Sequence, residues 1–310
     1  MTRRRRSLPP DPAPPPASAE LANQARDLPL DGHLHTDLSP DSDVPIDAFA
    51  EQAVARGIAE VAITDHVDFV PGAPAFSFAP FAERERIVRE AAERWAAQGV
   101  AIRFGVEITY DRAYEADIRE HLRRHAYDYV IGSVHVDVGS PFHASRVAGW
   151  TAGRRLADIV APYFDEVLAA IRSGLFDTIG HLDVVKRYLI PHVMPIDLAR
   201  APELYEPLLR ALVDSGSALE VNTSGLRHVT AETYPAAAIV QAYRLLGGTR
   251  VVAGSDAHRK GSFTSGLDAG YGVVAAAGFN ELAFRRGASR VALALPDRFR
   301  ARGGVDGANT

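Results

Sequence analysis

Again and again in this sequence, a short apolar run ends in a histidine or a carboxylate. The first run closes on Asp31-Gly32-His33-Leu34-His35-Thr36 and the second on Thr64-Asp65-His66. Later runs close on Gly105-Val106-Glu107, Ser133-Val134-His135 and Gly180-His181-Leu182-Asp183, then on Asn222, and finally on Ser255-Asp256-Ala257-His258. Residues two apart on a strand point to the same face, so the imidazoles of His33 and His35 can meet one ion. A single such pair reads equally well as two exposed histidines at a strand end. Six of the eleven histidines (His33, His35, His66, His135, His181 and His258) share this position, and that repetition argues for metal binding. The chain has no cysteine, which excludes zinc ribbons, iron–sulfur clusters, thiol nucleophiles and disulfides, so any ion must be held by His, Asp and Glu.

The elements that must position these residues follow from the apolar pattern. Seven runs rich in Val, Ile, Leu and Phe end near Leu34, Ile63, Val106, Val134, Ile179, Val221 and Ala253, with helical spacing between them, as at 45–56 and 81–97. That alternation predicts parallel strands joined by crossover helices. In a parallel barrel the carboxyl ends of all strands share one face, so the pattern predicts one convergent site on an α/β barrel. An open doubly wound sheet would gather only some of these residues. Asp43 is the expected cap of the helix near Ile46, with Pro45 in its first turn and Gly57 at its end. Segments 140–155 and beyond 300 carry no clear pattern.

The 310 residues include 34 Lys plus Arg and 39 Asp plus Glu, with 47% hydrophobic residues and a net charge of −5, an ordinary globular composition. Arg3 to Arg6 precede a stretch from Pro9 to Pro16 with six prolines, and residues 1–27 read as a disordered tail. The tail lacks the apolar run of an export signal, so a cytoplasmic location is expected. The acidic remainder speaks against a nucleic-acid partner, no transmembrane run is visible, and the oligomeric state is left unassigned. One domain is expected over 28–298, with a flexible tail over 299–310.

Taken as a set, the order and placement of these motifs from about Asp31 to His258 resemble the PHP (polymerase and histidinol phosphatase) family. The resemblance implies a distorted (β/α)7 barrel of the PHP type and a metal-dependent phosphoesterase. The segments Gly180 to Tyr188 and Glu220 to Arg227, with Tyr234-Pro235, are similar to the stand-alone histidinol-phosphate phosphatases of histidine biosynthesis. Carried over, the family pattern implies two or three divalent ions (Zn, Mn or Fe). A first ion would take His33, His35, Glu107 and Asp256, a second Glu107, His135 and His181, and a third Asp41, His66 and His258. Many relatives use histidine where this chain has Asp41, and Asp43 competes for that role.

Such a cluster suits a phosphate monoester dianion, which repels an incoming nucleophile and must expel a poor alkoxide leaving group. Cations lower the pKa of water from 15.7 to about 7 in favourable cases and neutralise the phosphoryl oxygens. Beside the bridging Glu107, Asp65, Asp183 and His258 are candidates for the acid that protonates the leaving alcohol. Lys186, Arg187, Asn222 and Arg227 are candidates for binding the substrate, a small phosphate monoester. His121 and His125 are expected on a solvated helix face. Phe69, Phe76 and Phe78 read equally as a lid or as loop anchors. The competing functions are a nucleotide or oligonucleotide phosphoesterase, an amidohydrolase, and a metal-binding accessory protein without turnover.

Overall fold

The computed structural model describes residues 25–137 and 139–300. Strands β1 (Asp31–Leu34), β2 (Glu60–Ile63), β3 (His66–Val67), β4 (Ala101–Thr109), β5 (Tyr129–Ser133), β6 (Thr178–Ile179), β7 (Ala218–Asn222) and β8 (Val251–Gly254) form one parallel sheet. Its path runs β1-β2-β4-β5-β6-β7-β8, the seven runs marked by the sequence. The sheet closes at the ends of β8 and β1, where Asp256 N donates to His33 O (2.9 Å) and His35 N to Ala257 O (3.0 Å). Closure thus falls on three of the candidate ligands.

Two irregularities make the barrel uneven. The register between β1 and β2 slips between Asp31 and Leu34, a bulge beside His33. The second run stops at Ile63 and resumes as β3, so the long β4 pairs with β2 through residues 101–104 and with β3 through Glu107 and Ile108. That restart sets His66 directly opposite Glu107.

Helix Ile46–Arg56 ends on Gly57 in the left-handed region (φ 66°), the conformation that favours glycine there. Its N-cap is Pro45 without a side-chain cap, and Asp43 is exposed, so the expected aspartate cap does not form. Pro45 already presents an extended φ and ψ, and the helix starts without a side-chain acceptor. In segment 140–155 a short helix forms over Val147–Thr151.

A hairpin that the sequence reading did not foresee, β9 (Glu281–Arg286) and β10 (Ser289–Ala294), turns through Gly287 (φ 60°) and Ala288. It covers the amino end of the barrel. Arg285 pairs with Asp177 (2.7 Å), Arg286 with Glu60, and Gly287 N donates to Asp128 O (2.9 Å), while Leu282 and Phe284 are buried. With that end plugged, the opposite end carries the convergent side chains.

Packing extends beyond the expected 28–298 at both limits. Ala25 is buried and exchanges hydrogen bonds with Thr264, Asp27 N donates to Arg56 O (2.7 Å), and the Phe299 ring lies tilted against Tyr271 (5.6 Å). The rest of the expected tails, 1–24 and 301–310, lies outside the described residues. Among the described residues no helix is long and apolar enough to cross a membrane.

Candidate metal centre

Glu107, at the upper part of β4 and 1% exposed, stands at the middle of the cluster. Its Oε2 lies 3.2 Å from His33 Nε2, 3.3 Å from His35 Nε2 and 3.0 Å from His66 Nδ1. Its Oε1 lies 2.9 Å from His181 Nε2 and 3.5 Å from His135 Nε2. One carboxylate therefore faces five imidazoles, three on one oxygen and two on the other. Asp256 Oδ1 adds contacts to His35 Nε2 (3.5 Å) and His258 Nδ1 (3.3 Å), and Asp41 Oδ2 to His66 Nε2 (3.3 Å) and His258 Nε2 (3.1 Å). The ring of His35 packs against both His66 (4.2 Å) and His258 (4.0 Å), whose own centroids are 5.7 Å apart.

These spacings suit cations. Donors bonded at about 2.0–2.1 Å to a tetrahedral ion sit about 3.3 Å apart, which is how these nitrogens and oxygens are spaced. Three groups of donors converge within 4.8 Å: His33, His35 and Asp256; His66, Glu107 and His135; and His35, His66 and His258. Asp41 Oδ1 and His181 Nδ1 are buried without a hydrogen-bond partner among the described residues.

The titration of the cluster points the same way. Burial opposes charge on Glu107 and Asp256, yet the surrounding histidines hold both carboxyls well below the usual range. Burial likewise opposes a charged His33, but Glu220, Glu107 and Asp256 outweigh it and raise its pKa well above the ordinary value. His66 is raised in the same manner by Asp41 and Glu107, against burial. His35 alone among these is lowered, by burial and then by His258 and His66. A site that draws protons onto most of its histidines is one in which positive charge is wanted, and metal ions compete with those protons.

The second ring nitrogen of several histidines is engaged from behind. His33 Nδ1 bonds Glu220 (2.6 Å), His135 Nδ1 bonds Thr109 Oγ1 (2.9 Å) and His35 Nδ1 lies 3.4 Å from Ser39 Oγ. Such bonds fix ring orientation and tautomer, leaving Nε2 to face the cluster. Sequence reading missed Glu220, Thr109 and Ser39 in this role. For Glu220 a signal existed, since it lies two residues before Asn222 on β7 and so shares its face.

The other predicted residues fall elsewhere. Asp65 is fully buried, and its two carboxylate oxygens accept from Thr36 N (2.6 Å) and Thr36 Oγ1 (2.8 Å), tying the segment after β1 to the segment after β2. Asp183 and Lys186 form a buried pair at 3.0 Å, so neither faces solvent. Asn222 uses its amide on Glu220 (3.1 Å) and Asp256 (3.2 Å), and its oxygen accepts from Ser224, so it braces ligands and has no group left for substrate. Arg187 is half-buried with its guanidinium 5.6 Å from the Tyr188 ring. His121 and His125 are not on a solvated face. His121 bonds Tyr127 (2.9 Å) and burial lowers its pKa to about 4, and His125 stacks on Phe81 (4.1 Å).

Arg227 also departs from the expected role. Its guanidinium donates to Ser255 O (2.7 Å), Asp256 O (3.1 Å) and Ser265 O (3.2 Å). Asp256 sits in the left-handed region (φ 53°), unfavourable for a residue with a Cβ, and these bonds hold it there. Arg227→Ala should therefore weaken metal retention about tenfold or more through a displaced Asp256. Competition with a chromophoric chelator measures this, and a rise in KM with retention unchanged would restore Arg227 to the substrate.

A parallel barrel that collects imidazoles and carboxylates around one shared glutamate, at the carboxyl ends of its strands, defines a metal-dependent hydrolase. Residues 31–224 match the PHP domain, and the chain belongs to that family. It is 32% identical over 237 residues to a protein of Deinococcus radiodurans named "Probable histidinol-phosphatase", covering 74% of this chain and 86% of the relative. It is 27% identical to a histidinol-phosphatase of Lactococcus lactis, covering 82% and 93%. In fold it is similar to the crystal structure of the Lactococcus lactis histidinol phosphate phosphatase complexed with Zn, L-histidinol and phosphate. The TM-score is 0.72 at 24% identity, over 85% of this chain and 98% of that one.

Proposed function

We propose that this protein is a metal-dependent phosphomonoesterase that hydrolyses L-histidinol phosphate to L-histidinol and phosphate, in histidine biosynthesis. The observation that carries the chemistry is Glu107, one carboxylate shared by five imidazoles. The names of the curated relatives carry the substrate. The reading takes two or three divalent ions, zinc, manganese or iron. His33, His35, Asp256 and Glu107 would hold the first, Glu107, His135 and His181 the second, and Asp41, His66 and His258 the third. When bound, such ions supply Lewis acidity toward water and the phosphoryl oxygens.

The chain's own part is orientation and proton control. Glu220 on His33 and Thr109 on His135 keep Nε2 of each ring turned toward the cluster. Exposure supports His258 among the acid candidates, because Asp65 and Asp183 are sealed at 0% whereas His258 is 27% exposed. His258 Nε2, beside Asp41, is the atom assigned to hold a proton for the leaving alcohol where the third ion is lacking. Arg187 is assigned to the phosphate, since a guanidinium binds phosphate oxygens in a fork.

The test is phosphate release by metal-stripped protein with zinc or manganese restored, offered histidinol phosphate alongside nucleotides and sugar phosphates. Metal-dependent release selective for histidinol phosphate is expected. Preference for another ester would move the substrate, and no release from any would remove the phosphatase reading.

A further inference from the structure

Behind the cluster, Glu220 does more than orient one ring. Its Oε1 lies 2.6 Å from His33 Nδ1, and its Oε2 accepts the backbone N–H of His181 at 2.7 Å. The amide of Asn222 reaches the same Oε2 (3.1 Å) and also Asp256 Oδ2 (3.2 Å). Groups from β1 and the end of β6 are thus tied to one side chain on β7, and Asn222 links that side chain to Asp256 after β8.

The neighbouring strands leave room for this carboxylate. A Cβ at Gly254 would lie 2.9 Å from Glu220 Oε1 and 2.4 Å from His33 Cβ. A Cβ at Gly180 would lie 2.3 Å from Ser133 Oγ and 3.5 Å from Glu220 Oε2. Glycine at 254 is what leaves room for this carboxylate, which stands at 1% exposure, whereas glycine at 180 relieves Ser133 and only adjoins Glu220. For folding alone, a packed apolar residue would serve as well as a buried ionic contact or better.

We infer that Glu220 is a positioning residue that sets two ion sites at once, through the Nδ1 of His33 in the first and the backbone of His181 in the second. This rests on the metal-dependent reading above. Oε1 fixes the tautomer of His33 and turns its Nε2 to the ion. Oε2 pins the turn from which His181 presents its Nε2 to Glu107. Losing the carboxylate therefore loosens both sites together, although Glu220 touches no ion itself.

Glu220→Gln tests this in the full-length protein with zinc as the probe. With its oxygen toward His33 the isosteric amide offers that ring only an uncharged acceptor and sets its own N–H against the N–H of His181, and flipped it sets N–H against His33 Nδ1–H and leaves His181 the uncharged acceptor, so both contacts suffer. Ion release to a competing chelator should shift by about 10–100-fold for both sites together, the range for losing a partner behind a metal ligand. The metal-free variant should melt below metal-free wild type, because the same contacts are lost there, so the deciding readout is zinc release from the folded variant, which a merely structural role would leave alone. Zinc release unchanged, or changed at one site only, overturns the inference. Should the variant fail to fold, nitrogen-15 spectra of zinc-loaded wild type serve instead. They should show His33 with its proton on Nδ1, and a proton on Nε2 overturns the inference. Wild type that retains no zinc would overturn the metal-dependent reading and this role together.

Discussion

Glu107→Gln should remove phosphatase activity almost entirely and take metal with it. The side chain keeps its volume, but one carboxylate oxygen, the one facing either His33, His35 and His66 or His135 and His181, becomes an amide nitrogen that cannot accept or ligate. Loss of a shared ligand forfeits several kcal/mol of Lewis-acid stabilisation. At about 1.36 kcal/mol per decade this is about a thousandfold or more in kcat. Ions per chain should fall in the same sample, which separates this outcome from a simple loss of a proton-transferring group. Glu107→Asp keeps the charge but shortens the reach, so it should recover part of the metal and less of the rate. Full metal content with kcat near wild type would show that the cluster is not organised around this carboxylate.

Much of the site was legible because strand ends carry a two-residue period that places alternate residues on one face. His33 and His35 share a face for that reason, and Glu107, His135, His181 and Asp256 follow from closing parallel strands into a barrel. The two-residue period does not reach Asp65, which lies in the break between β2 and β3, and there its carboxylate clamps Thr36. Lys186, Asn222 and Arg227 have the residue types that bind phosphate, but sequence does not say whether a polar head meets substrate or a backbone carbonyl. In the fold local partners such as Asp183 for Lys186 and Ser224 for Asn222 combine with ones from far along the chain, such as Thr233 O for Lys186 and Ser265 O for Arg227. The hairpin of β9 and β10 was missed because it carries no chemical motif, although Gly287 marks its turn. The register slip in β1 and the restart at β3 are properties of pairing, and they decide that His66 meets Glu107.

Lys186→Met should cost about 3–5 kcal/mol of stability, the range for leaving a buried charge without its partner. Lys186 is 1% exposed, and its Nζ lies 3.0 Å from Asp183 Oδ2, 2.7 Å from Glu232 Oε1 and 2.9 Å from Thr233 O. The ammonium also sits 5.1 Å from the Tyr234 ring. Asp183 itself is fully buried, with its pKa raised by burial against the opposing pull of Lys186. Methionine fills the space of the lysine stem but leaves Asp183 Oδ2 with only Tyr205 OH (3.1 Å). Denaturant titration reads the loss as a lower midpoint at unchanged slope. The double change Asp183→Asn with Lys186→Met should recover a large part of it, because it removes the uncompensated charge. KM of the folded enzyme should hold in the single variant, since a group that touches no substrate contributes no uniform binding. A raised KM with stability intact would instead put Lys186 on the phosphate. The two lysine outcomes are therefore mutually exclusive, and they separate a cation that holds the β6 and β7 loops together from one that meets the ester.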